Sequence, residues 1–165
     1  MPNNISTSKS PNLTTTKMKY YECKTHVEMV SDLDVKTTKR FSYLVLADSC
    51  TRAEELVMAE YEHSNALAKV TDVVGRKFDA VIISAVEASE LKFYKIVYTI
   101  TSLNSVGLEI DKKEAALVAA EELTDATDLL LEKFDKSMHK PVLLSVVETP
   151  IVEFIKDTNE ETPDA

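Results

Sequence analysis

The sequence predicts an α+β fold made of two pseudo-symmetric ββαβ (split βαβ) units from an internal duplication, with helices on one face of an antiparallel or mixed sheet. Three observations predict it: a gapless internal echo, two-residue alternation of apolar side chains, and one capped amphipathic stretch in each copy. The stretch "LVLADSCTRAEEL" at 44–56 returns as "LVAAEELTDATDL" at 117–129. The offset of 73 holds from residue 19 to residue 83 without a gap and makes 13 of 65 aligned pairs identical. That is about threefold above the roughly 6% expected by chance from ordinary composition. Conservative pairs add to it: Tyr20 with Phe93, Asp48 with Glu121, Tyr61 with Phe134 and Val81 with Phe154. A repeat this long marks a duplicated folding unit, not a short solenoid motif.

Each unit opens with a strand. In "KYYECKTHVEMV" the residues Tyr21, Cys23, Thr25, Val27 and Met29 alternate with Tyr20, Glu22, Lys24, His26 and Glu28, the period of a half-buried strand. "KFYKIVYTITSL" repeats it with Tyr94, Ile96, Tyr98 and Ile100. "SDLD" and "NSVG" then turn the chain, because their side chains hydrogen-bond local backbone or tolerate left-handed geometry. A second strand follows in each, "RFSYLVLA" and "EAALVAA". The Ala-rich copy has helical propensity, but its alignment with the β-like first copy assigns it to a strand.

A helix comes next. Thr51 and Glu54 have the spacing of a capping box; Thr124 repeats the cap and Asp125 suits the positive end of the helix dipole. Leu56, Val57 and Tyr61 form one apolar stripe, and Leu129, Leu130, Phe134 and Met138 the other. A third strand closes each unit: "AKVTDVV" runs into "KFDAVII", and "VLLSVV" into "PIVEFI", with Pro150 marking a break or an edge. A right-handed crossover through the helix places this strand parallel to the second and beside the first. One helix covers one face of such a sheet, so the opposite face needs the other unit, another subunit or a ligand.

The domain reading is a disordered arm at 1–16, units at 17–90 and 91–156, and an acidic disordered tail at 157–165. The arm is rich in Ser, Thr, Asn and Pro, without a secretory or membrane signal. Net charge is −9, divided as +1 in the arm, −3 in each unit and −4 in the tail. Neither unit is basic, which argues against duplex-DNA binding driven by charge alone. Cys23 and Cys50 align with Ile96 and Leu123 and read as small core hydrophobes of a reducing compartment.

The Tyr20–Cys23 start, "YLVLADSCTRAEE" and the closing "SVVETPIVEFI" resemble an uncharacterised family of duplicated small proteins from Bacteroidota and their (crAss-like) phages. The resemblance covers roughly residues 18 to 156. Its motifs are structural. It implies a cytoplasmic setting, that of the host cell where the protein is phage-encoded, and a place beside replication genes that suggests nucleic acid.

No enzyme signature stands out. With only Gly75 and Gly107 there is no glycine-rich phosphate loop, and no Gly-x-Ser-x-Gly elbow occurs. Cys23 and His26 fall on opposite faces of one strand, while His63 and His139 lie near helix C-termini, so no metal or other cofactor is expected. The matched carboxylates Asp48 and Glu121 could share a proton or hold a divalent cation, or simply sit at the positive ends of helices. The binding candidates are Lys17, Lys19, Tyr20 and Lys24 in the first unit and Lys92, Phe93 and Lys95 in the second. Lysine-flanked aromatics on an open sheet face form a stacking platform for single strands; alternatively Tyr20 and Phe93 pack against the other unit. The expectation is a non-enzymatic binding protein whose partner is single-stranded DNA. Its alternative is a protein-interaction or counter-defence module that binds itself or another protein, and a metal-dependent enzyme using Asp48 and Glu121 ranks third.

Overall fold

The computed structural model describes residues 17–85 and 90–158. The predicted arm lies outside the described residues, as does the tail beyond Thr158. Ten elements follow one another in the same order twice. In the first half these are β1 (Lys19–Val30), β2 (Lys36–Ala47), α1 (Cys50–Ala59), β3 (Leu67–Arg76) and β4 (Ala80–Ile83). In the second they are β5 (Lys92–Leu103), β6 (Glu109–Ala120), α2 (Leu123–Lys133), β7 (Val142–Glu148) and β8 (Ile151–Lys156). The offset of 73 carries the first residues of β1, β2 and α1 onto those of β5, β6 and α2. The fold is α+β, with eight strands in two mixed four-stranded sheets and two helices.

Both long hairpins turn by the same chemistry. Ser31 Oγ accepts from Leu33 and Val35 N–H, and Asn104 Oδ1 accepts from Val106 and Leu108 N–H. Asp34 (φ 58°) and Gly107 (φ 82°) occupy equivalent left-handed positions in these turns. Only glycine and, less readily, aspartate or asparagine adopt that geometry without a large penalty.

The strand order is β3-β1-β2-β8 in the first sheet and β4-β6-β5-β7 in the second. β3 and β7 lie antiparallel to the first strand of their own half, as the crossover argument requires. The piece after each break does not stay with its own half. β4 pairs parallel with β6, and β8 pairs parallel with β2. Each sheet thus completes its second edge with the last strand of the other half, and the expected single third strand is two strands in two sheets. The boundary read at 90/91 therefore does not separate the sheets.

Each helix covers the outer face of one sheet. Ala53 and Val57 of α1 pack on Tyr21, Cys23, Tyr43, Val45 and Ile155. Ala126 and Leu130 of α2 pack on Tyr94, Ile96, Tyr98 and Val118. A large aliphatic side chain fully buried there contributes about 1.5–3 kcal/mol. Between the sheets, Leu44, Phe93, Leu117, Ala119 and Ile151 form a third cluster, with Tyr20, Phe78, Val81, Leu91 and Phe154 against it. The buried Thr25 hydroxyl donates to Phe41 O at 3.1 Å, and the Tyr43 and Tyr61 hydroxyls bond to each other.

Several local expectations need correcting. α1 is capped by Ser49, whose side chain accepts from Arg52 N–H at 3.1 Å, so Thr51 lies inside the helix. α2 starts after Glu122 without a side-chain cap, so Thr124 is not a cap either. Met138 is 94% exposed and leaves the apolar stripe. Cys23 is buried as expected, but Cys50 is exposed. Asp157 belongs to the fold, not to the tail: it is buried, its N–H donates to Leu46 O, and Arg52 forks onto its carboxylate at 3.0 and 3.2 Å. Those bonds, with one to Glu55, raise the Arg52 pKa above its already high value. Among the described residues no helix is long and apolar enough to cross a membrane.

Candidate nucleic-acid interface

On β1 the even-numbered side chains face the second sheet and the odd-numbered ones face α1, by strand alternation. The two sheets meet only over part of their inner faces. Tyr20, Leu44 and Phe154 belong to the cluster between them, whereas Lys24 and Arg40, farther along the same face, are exposed. The part left open is polar, with Lys24, Arg40 and Lys69 alongside Glu28 and Asp72.

Two hollows lined by the candidate lysines follow this face. The larger, about 600 Å³, is lined by Lys17, Lys19 and Tyr20 from the start of β1 and by Arg76, Lys77, Phe78 and Asp79 from the end of β3 and the link to β4. Tyr20 sits edge-on to Phe78 with ring centroids 6.0 Å apart and leans on Phe154 at 6.2 Å. Partial burial raises its phenol pKa. Arg76 is held by the buried Glu22 carboxylate at 3.0 Å, so it offers donors in fixed positions while its charge is matched. Asp79 is engaged too, accepting Ala115 N–H at 2.9 Å. With Arg76 matched by Glu22, the groove sets Lys17, Lys19 and Lys77 against the Asp79 carboxylate and keeps a net positive charge. Arg76, Lys77 and Phe78 carried no distinguishing sequence pattern; only the β1–β3 pairing of Tyr20 with Arg76 brings them to the platform.

The second hollow, about 410 Å³, is lined by Lys24, His26, Arg40, Ser42, Thr71 and Pro150 among others. Lys24 is therefore on the predicted face but not in the Tyr20 groove. The second half does not reproduce the arrangement. Phe93, the equivalent of Tyr20, is 5% exposed in the cluster between the sheets, and its carbonyl accepts both the N–H and the hydroxyl of Thr149 at 2.8 Å. No base can stack on it without opening the core, so the paired platform is reduced to its first half. Lys92 is exposed beside Glu148 at 3.9 Å, and Lys95 is exposed. The reason lies in the aligned residues: Thr149, Pro150 and Ile151 stand where the first half has Arg76, Lys77 and Phe78.

Asp48 and Glu121 are not brought together in any described cavity. Asp48 is exposed after β2, while Glu121 shares a shallow hollow with Ser84, Asp125, Asp128 and Glu132 on the second sheet and α2. His63 and His139 are exposed in the loops after the helices. Among the described residues no three His, Cys, Asp or Glu side chains converge as metal ligands would.

The model of a family described as a domain of unknown function (DUF4494) matches residues 19–157. No curated protein matches the chain, and no solved structure does.

Proposed function

The chain belongs to the DUF4494 family, and since that membership carries no activity with it, we propose from the geometry that the protein is a non-enzymatic single-stranded DNA-binding accessory factor. A phage-infected cytoplasm is the setting implied by the sequence resemblance. The observation that carries the reading is the groove itself: three lysines, a positioned arginine and two aromatic rings gathered on one face of a chain whose net charge is −9. Tyr20 supplies a ring for base stacking, worth about 1–3 kcal/mol per base, and the lysines follow the backbone. A sheet face with one half covered and the other left open, with Lys24, Arg40 and Lys69 spaced along it, suits an extended polyanion better than a compact ligand.

Anisotropy of labelled oligothymidine at two salt concentrations tests it, with the full chain and with a chain ending at Thr158, which keeps the Asp157 clasp. Binding with little sequence preference is expected, tighter without the acidic tail. The slope of log K against log[salt] should be about −2 for three lysine–phosphate contacts. A tailless protein that binds no single strand at low salt would defeat the reading.

A second reading is favoured by a different surface. Val142, Leu144 and Val147 are exposed on β7, an edge strand of the second sheet. Exposed apolar edges pair with other chains, which fits a homo-oligomeric interaction module. Sedimentation of Val142→Lys with Val147→Lys against the parent chain distinguishes it: only an oligomer loses mass.

A further inference from the structure

Resting on the single-strand reading, we infer that the bound strand does not end at the Tyr20 groove but continues along the inner face of β1 to a second phosphate subsite built by Arg40, His26 and Lys69. These three residues lie directly opposite one another across β2, β1 and β3: His26 pairs with Arg40 on one side and with Lys69 on the other. Arg40 and Lys69 thus stand on one face two strands apart, about 10 Å at the usual spacing between neighbouring strands, with the imidazole between them, a row that an extended polyanion can lie across. The neighbouring rows carry carboxylates too, and Glu28 shares a small hollow with His26 and Lys69. Asp72 is opposite Lys24 and Glu28 is opposite Thr38 and Leu67, so the face sets Lys24, Arg40 and Lys69 against two carboxylates and keeps one cation in excess. Arg40 and Lys69 are exposed and His26 is partly so. The hollow beside them, about 410 Å³, also presents the Ser42 and Thr71 side chains.

Tyr20 and His26 are six residues apart on one strand, about 20 Å at the usual rise, a span of several nucleotides of extended strand. The strand would cross the Glu22–Arg76 pair between the two hollows, where the arginine faces the groove and the carboxylate is buried. The polarity of the track follows: a base stacks at Tyr20, and the backbone reaches the Arg40–His26–Lys69 row. In the second half the equivalents of Arg40, His26 and Lys69 are Lys113, Thr99 and Val142, so only one of the three positions keeps a cation and the row is not reproduced there.

The test compares a thymidine dinucleotide with an octanucleotide on the full chain, and on Arg40→Gln with Lys69→Gln. Both side chains are exposed, so the double variant should fold, and its melting temperature checks this. The expected result is a dinucleotide salt slope unchanged by the substitutions and an octanucleotide slope shallower by about 0.7–1.4, one phosphate contact or two lost. An octanucleotide slope that does not change overturns the second subsite and leaves the groove standing. No binding at either length on the parent chain removes the single-strand reading itself, and this extension with it.

Discussion

Truncating the two equivalent aromatics, Tyr20 and Phe93, should have opposite consequences. Phe93 is 5% exposed among Leu44, Leu117, Ala119 and Ile151, so Phe93→Ala removes a ring from the layer that joins the sheets. Such a substitution costs about 3–5 kcal/mol, out of a total stability of roughly 5–15 kcal/mol, and lowers Tm by roughly 10 °C for a chain of this size. Tyr20 is only partly buried, with its ring against Phe78 and Phe154 at the rim of the same cluster. Tyr20→Ala should leave the fold intact and weaken octanucleotide binding about 5- to 150-fold, the equivalent of 1–3 kcal/mol of lost stacking. Tyr20→Phe keeps the ring and should bind nearly as the parent does. Urea unfolding and anisotropy, both at a temperature where Phe93→Ala is folded, read the two effects separately. A Phe93→Ala protein with an unchanged urea midpoint and binding as poor as that of Tyr20→Ala would refute the assignment of Phe93 to the core.

Three further outcomes follow from particular sites. A Cβ added at Gly107 meets nothing within 4 Å, but φ is +82°, so Gly107→Ala should lose about 1 kcal/mol in urea titration from backbone strain alone; a gain in stability would mean the turn is not left-handed. Asp48→Asn with Glu121→Gln should change stability by no more than about 1 kcal/mol and leave single-strand binding intact; loss of binding at an unchanged Tm would revive the carboxylate pair as a site. Burial pushes the Cys23 thiol from 9.0 up to about 11, and Tyr98 up to about 12. With the folded pKa raised, protons leave the unfolded chain first, so stability is complete below about pH 9 and declines between pH 9 and 11 at up to about 1.4 kcal/mol per unit for the thiol. Cys23→Ala should flatten that window in urea titrations at pH 8, 9 and 10, and an unchanged profile would show that the thiol is not the group responsible.

The hairpins and helices were legible because their signals are local. Alternation marked β1 and β5, and the alignment of "EAALVAA" with "FSYLVLA" overrode alanine's helical propensity to place a strand where β6 runs. The ends of the units were not legible in the same way. "AVII" and "IVEFI" read as strands, but which sheet edge a strand of four to six residues joins is decided by tertiary packing, and pattern carries no trace of it. The helix start was missed by two residues, since Thr51 and Glu54 imitate a capping box while Ser49 does the capping. At the candidate site, Lys17, Lys19 and Tyr20 were visible as a lysine-flanked aromatic. Arg76, Lys77 and Phe78 lie more than fifty residues away and join them only through the β1–β3 register.

The asymmetry between the halves is the physical argument for where the proposed binding is placed. The residues that repeat at the offset of 73 include Tyr21, Leu44, Val45, Ala47, Ala53 and their partners, which build the cores under the two helices and the layer between the sheets. These are constraints of packing, and both halves obey them. Arg76, Lys77, Lys24 and His26 do not repeat; their equivalents are Thr149, Pro150, Val97 and Thr99. At Lys24, His26 and Lys77 the framework needs no cation, since the second sheet folds in the same strand order without one; Arg76 differs, because it matches the buried Glu22 carboxylate. In the first sheet they are gathered on the one stretch of inner face that the other half leaves open. Lys24 and Lys77 are exposed there, so their substitution tests the proposed binding separately from the packing that both halves share.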